Sequence, residues 1–221
     1  MVQPDIRYFA DFPTMTTKTI NLFTAISGLH NYLVSDRRAR VLAECLGTLL
    51  HAGSVLDVGC GDGTIDALIQ DATPGLVLRG VDVLIRPETR IPVSPFDGRT
   101  LPVGDKSVDT VLFVDVLHHT DDPMVLLREA KRAARKSVVI KDHTADGPLA
   151  RPTLRFMDWI GNAPHGVALP YNYWPEARWR CAFEELGLSI TFWERKLRLY
   201  PFPASLVFER RLHFIAELKP D

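Results

Sequence analysis

Val55-Leu56-Asp57-Val58-Gly59-Cys60-Gly61-Asp62-Gly63 is the stretch from which the rest of the chain is read. It opens with a short apolar run between Gly53 and Gly59, the pattern of a parallel-sheet strand buried on both faces. Glycines then stand at alternate positions, 59, 61 and 63. Glycine tolerates positive φ and lets a ligand approach the main chain closely. Thr64 to Ile69 has helical spacing, so the unit is strand, glycine turn, helix. In an open α/β sheet such a turn lies at the carboxyl end of a strand, where ligands bind.

Two features separate this turn from a dinucleotide site. The dinucleotide fingerprint G-x-G-x-x-G needs a third glycine where this chain has Thr64. Asp57, inside the strand, would repel a pyrophosphate and suits a positively charged ligand. VLDVGCGDG resembles the first motif of class I S-adenosylmethionine-dependent methyltransferases, in which the cofactor's sulfonium and amino groups account for the acid. The resemblance implies S-adenosylmethionine as cofactor, held by Asp57, Gly59, Cys60 and Gly61. A nicotinamide-dependent oxidoreductase and a non-catalytic S-adenosylmethionine-binding module are the alternatives.

Downstream, Leu76 to Val83 reads as the second strand. Asp82, at its end, lies 25 residues past Asp57. A carboxylate there can accept from both hydroxyls of a ribose, with Val83 beside it. Prolines 92 and 95 confine the third strand to an edge or shorten it. Phe96 to His119, FDGRTLPVGDKSVDTVLFVDVLHH, resembles the corresponding block of the type 11 methyltransferases. By that resemblance Asp97 accepts from the adenine amino group and Asp115 ends the fourth strand beside the cofactor's methionine part. Asp121-Asp122-Pro123 starts a helix carrying Met124, Leu127 and Ala130. Ser137 to Ile140 is the fifth strand, and Ala133 to Lys136 stands where relatives carry a proline-glycine-glycine turn.

His118 and His119 follow the fourth strand, and Lys141-Asp142-His143 follows the fifth. Histidine suits proton removal near neutral pH, so His143 and His119 are the candidate bases, with Asp142 beside the substrate. Asp121 and Asp122 with the two histidines do not make a metal site, because consecutive residues rarely converge on one point; no metal is expected. Residues 147–175 read as a substrate-pocket insertion: a helix over Leu154–Ile160, a loop over 161–166, and a wall of Tyr171, Asn172, Tyr173 and Trp174. Trp179, Ala182, Phe183 and Leu186 form a core stripe. Leu188–Leu199 and Leu206–Leu218 read as a closing antiparallel hairpin around Tyr200–Pro203.

Before the first strand, a helix is expected over about Thr17–Leu29. Ser35 caps another, whose apolar positions are Ala39, Leu42, Cys45, Leu46 and Leu49; its arginines read as a solvated face. Residues 1–50 thus form a helical N-terminal cap on the same domain, and 51–221 the methyltransferase domain. The fold expected is α/β, a Rossmann-like seven-stranded, mostly parallel sheet with an antiparallel C-terminal hairpin. At 221 residues, 46% hydrophobic and 24% charged, the composition is that of an ordinary globular protein. A net charge of -1 and the lack of a basic aromatic platform argue against nucleic acid and for a small-molecule substrate. Three scattered cysteines fit a reducing, cytoplasmic setting. No secretory signal is seen, and no stretch reaches the ~18 apolar residues of a membrane span. Oligomeric state is not legible.

Overall fold

A computed structural model describes residues 36–162 and 170–221. The expected helix over 17–29, the Ser35 cap and most of the 161–166 loop lie outside them. Helix α1 (Asp36–Gly47) precedes β1 (Gly53–Val58), α2 (Thr64–Ala72), β2 (Leu76–Asp82), β3 (Val93–Pro95) and β4 (Val108–Val114). A single 3-10 turn, Leu117–His119, leads to α3 (Pro123–Ala133), β5 (Ala134–His143), α4 (Ala150–Asn162) and α5 (Glu176–Glu185). β6 (Leu188–Glu194), the short α6 (Ser205–Phe208) and β7 (His213–Pro220) complete the chain.

The seven strands form one sheet in the order β3-β2-β1-β4-β5-β7-β6. β1 to β5 run parallel, and β7 inserts antiparallel between β5 and β6. This is the expected Rossmann-like sheet. The order reverses direction at β1, so the crevice opens where β1 and β4 diverge, at their carboxyl ends.

Alternate residues of each strand feed two cores, one on each face. Leu56, Val58, Val111, Phe113, Val138 and Ile140 pack with α3 and α5. Val55, Leu112, Val139 and Ile215 pack with Leu42 and Leu46 of α1 and Ile69 of α2. Both faces are covered, which is why these strands read as continuous apolar runs. Asp122 caps α3 by accepting from Met124 N at 3.0 Å, with Pro123 opening the helix.

Three boundaries differ from expectation. β5 starts at Ala134, directly after α3, because Ala134 itself takes the extended conformation (φ -77, ψ 134) and no turn is needed. Lys141, Asp142 and His143 are therefore its last three residues, not residues beyond it. β6 stops at Glu194, whose carboxylate accepts from the backbone N–H groups of Arg195 and Lys196 and turns the chain out of the ladder. β7 starts at His213; Ser205–Phe208 coils instead, since a short apolar run does not distinguish strand from helix.

Candidate functional site

The glycine turn is built for close approach at one point. Gly59, Gly61 and Gly63 have φ of 77°, 61° and 73°. A Cβ on Gly59 would meet Val116 Cγ2 at 2.6 Å, and one on Gly63 would meet Ile91 Cγ1 at 2.5 Å. Those two are glycines for packing. A Cβ on Gly61 would meet none of the described residues within 4 Å, so Gly61 fronts space open among them. Cys60 packs below, where a Cβ on Gly80 of β2 would strike its sulfur at 2.2 Å.

Asp82 ties β2 to this turn. Gly61 N donates to its Oδ2 and Leu84 N to its Oδ1, both at 2.8 Å. Val83, Leu84 and Ile85 then stand exposed, an apolar ledge beside the loop. A Cβ on Gly98 would lie 3.2 Å from Val83, which brings Asp97 alongside the ledge. Asp97 accepts from Thr100 N and Arg99 N at 2.7 Å, and these bonds hold its carboxyl below the usual range.

Beneath the loop, Asp57 is 3% exposed and Asp66, in the first turn of α2, 1%. The two side chains face one another, and among the described residues no donor hydrogen-bonds to Asp57 Oδ1 or to either oxygen of Asp66. Burial raises both carboxyls, Asp57 the more, with Asp66 adding to the effect on Asp57. A buried carboxylate oxygen without a donor costs free energy unless a ligand supplies one. This orphaned atom, the open space at Gly61 and the apolar ledge fit a ligand with a cationic end, a ribose and a flat base.

The ends of β4 and β5 carry a second cluster. Asp115, at φ 58°, is paired by Lys141 and by Arg38 of α1. Burial alone would raise its carboxyl, but those two cations hold it well below the usual range. His118 lies between two acids: Nδ1 is 2.7 Å from Asp142 Oδ1 and Nε2 3.3 Å from Asp158 Oδ2. Burial would lower its pKa; the two carboxylates outweigh that and raise it to about 10. His118 is therefore an imidazolium bridge. Asp142 also accepts from Leu117 N at 3.0 Å and His143 N at 2.7 Å. Asp158 accepts in addition from the Tyr173 hydroxyl.

The other histidines are kept neutral. Burial and then the His118 charge push His119 down to about 4, and its Nδ1 has no partner. Burial and then Lys141 lower His143, whose Nδ1 sits 3.4 Å from Asp115 Oδ1. His213 donates through Nε2 to Phe208 O at 2.9 Å, leaving Nδ1 to accept from Lys141 at 3.4 Å. Ligand atoms of Asp115, His118, Asp142 and His143 come within 4.8 Å of one another, a set that could suit a metal. Asp115, Asp142 and Asp158 are already faced by Lys141, Arg38 and protonated His118, so an added dication would have to displace a protein cation.

The residues singled out from sequence therefore divide into groups. Asp57, Gly59, Cys60, Gly61, Asp82, Val83 and Asp97 gather around the glycine turn. Asp115, His119, Asp142 and His143 gather at the ends of β4 and β5. Asp142 is enclosed, with both oxygens engaged by the protein, and Asp115 has its charge matched. Tyr173 is buried with its hydroxyl bound, so it backs the wall instead of lining it. Asn172 clamps the turn after β4, donating to Thr120 O and Asp121 O at 3.1 Å. Trp174 donates to Asn172 at 3.2 Å and packs on Trp179, and the Arg155 guanidinium lies 4.5 Å from the Tyr171 ring.

Sequence reasoning passed over Arg38, Asp66, His118 as a bridge, Lys141 and Asp158. Two of these left a signal. Asp66 sits three residues before Ile69, and Asp158 four after Leu154, so each acid falls on the apolar stripe of its helix.

The fold is shared with solved methyltransferases. An S-adenosylmethionine-dependent methyltransferase from Aquifex aeolicus superposes with TM-score 0.57 at 15% identity, over 91% of this chain and 98% of that one. Geranyl diphosphate methyltransferase in complex with S-adenosylmethionine gives 0.61 at 11% identity, over 82% and 85%. Mitomycin 7-O-methyltransferase gives 0.58 at 22% identity, over 92% and 58%. No curated protein matches the sequence. A methyltransferase-domain family model matches residues 30–191, most of the chain and all of both clusters' strand ends. By that match the chain belongs to the methyltransferase-domain family and is an S-adenosylmethionine-dependent methyltransferase.

Proposed function

We propose that the enzyme methylates a small molecule in the crevice between the glycine turn and the ends of β4 and β5. The observation that carries this reading is the buried, donorless Oδ1 of Asp57 beside the open face of Gly61. Asp57 and the turn (Gly59, Cys60, Gly61) would hold the cofactor's cationic end, Asp82 the ribose, and Val83 with Asp97 the adenine. Asp115 borders the methionine part with its charge already neutralised. When bound, S-adenosylmethionine supplies a methyl group on a positively charged sulfur.

The chain's own task is then orientation and proton handling. His119, half-buried and neutral, and His143, more enclosed, are the groups free to take a proton from a substrate hydroxyl or amine. His118 and Asp142 set their places. Residues 147–175 would form the far wall, with Tyr171, Asn172 and Trp174 nearer the crevice than Tyr173. The names of two structural neighbours, acting on geranyl diphosphate and on mitomycin, favour a small substrate. Among the described residues no helix is long and apolar enough to cross a membrane, and the three cysteines are free, which suits a reducing compartment.

Incubation of cell extract with the enzyme and methyl-labelled S-adenosylmethionine, followed by ultrafiltration, tests it. Label in the low-molecular-weight filtrate is expected. Label confined to protein or RNA would overturn the small-molecule reading.

A further inference from the structure

Among the described residues, three of the four oxygens of the Asp57–Asp66 pair have no hydrogen-bond donor, in residues 3% and 1% exposed. The side chains acting on the pair are acids. Asp82 faces Asp57 from the end of β2 and Asp62 faces Asp66 from the turn. Cys60, in the same turn, has its thiol pushed up by burial and then by Asp57, Asp66 and Asp82. Among the described residues no cation acts on Asp66. Two carboxylates sharing one buried site cannot both be charged at modest cost; one proton held between them removes the repulsion and satisfies the facing oxygens.

We propose that the pair holds one shared proton in the free enzyme and releases it when S-adenosylmethionine binds, so that cofactor binding is coupled to deprotonation. The inference rests on the reading of the glycine turn as the cofactor site. The step balances simply: the carboxyl O–H bond breaks, the proton passes to solvent, and the cofactor's positive charge takes its place beside two carboxylates. Asp66 thereby becomes a positioning residue for cofactor charge, acting through Asp57.

Titration calorimetry of S-adenosylmethionine into the whole enzyme at about pH 6, where the ligand's amino group stays protonated, reads the coupling. In two buffers of different ionisation enthalpy, the difference in heat should correspond to about one proton released. Affinity should tighten toward tenfold per pH unit below the pair's upper titration, because the proton competes with the ligand. Asp66→Asn keeps the shape and donates an amide N–H to Asp57; its proton release should fall near zero and its pH slope flatten. Difference infrared spectra of the unsubstituted enzyme should lose a protonated-carboxyl band when the cofactor is added, a readout that does not depend on any variant folding. Binding with heats independent of buffer, or an Asp66→Asn variant releasing as much proton as the parent, would overturn the inference while leaving the cofactor site intact. No binding at any pH would overturn both.

Discussion

Where β1 and β2 end, Asp57 and Asp66 stand buried with no ion pair among the described residues; where β4 and β5 end, Asp115, Asp142 and Asp158 are each met by Arg38, Lys141 or His118. The two regions lie on neighbouring strands of one sheet and are equally enclosed. Their difference is one of destination. A buried acid left unmatched is tolerable only if a proton or a ligand completes it, so the first region is shaped for a cation from outside. A buried acid already matched has no use for such a ligand, and its field acts on the neighbouring groups instead. In the second region that field holds His118 charged, and burial together with the resulting imidazolium keeps His119 neutral.

The contrast breaks most completely at Gly61. Gly61→Val forces a β-branched residue to φ 61° and fills the space before the turn, where its Cβ would meet none of the described residues. Calorimetry with S-adenosylhomocysteine should show no measurable binding, with the circular dichroism spectrum unchanged. Retained binding in a folded variant would place the ligand elsewhere.

Next in size is a stability effect in the matched region. Asp142→Ala leaves His118 without its closest carboxylate and should cost about 3–5 kcal/mol in denaturant unfolding, the cost of breaking a buried pair. The pH profile sharpens this. His118 is raised in the folded state, so its stabilisation is fully present below the ordinary imidazole range and fades as pH rises through about 10. Asp142→Ala should weaken that alkaline loss. A variant with the same alkaline profile as the parent would show that the bridge contributes little.

The histidines come third. His119→Ala and His143→Ala should each leave cofactor affinity nearly intact, and the one that accepts the substrate proton should lower turnover by ~10²–10⁴-fold. The other should shift mainly the Michaelis constant. If both variants keep full turnover in a steady-state assay on an accepted substrate, orientation alone drives the reaction.

Asp82→Ala gives the smallest change in binding, about ten- to a hundredfold by calorimetry, the worth of one hydrogen bond to a charged group. Asp82 also anchors Gly61 N and Leu84 N, so part of the loss comes from a loosened turn. Asp82→Asn keeps its acceptor oxygen for one of these and should recover part of the affinity. Unchanged affinity in Asp82→Ala would remove Asp82 from the site.

Much of this was legible in the chain alone. Val55–Val58 announced a buried strand, the glycines at 59, 61 and 63 a tight turn, and the strand–helix alternation a parallel sheet. These are local facts: side-chain period and permitted φ belong to a residue and its immediate neighbours. Prolines 92 and 95 foretold the three-residue edge strand for the same reason. Charge state was not legible, because it depends on what surrounds a group after folding. Arg38 read as a solvated arginine, yet it meets Asp115 from 77 residues away. Asp66 and Asp158 were not singled out along the chain; α2 docks the one against Asp57 and α4 the other against His118. The sequence by itself determined where the backbone could turn and which strands would be buried; only the tertiary structure decided which acids found a cation, since desolvation and Coulomb attraction are set by distance in space and not along the chain.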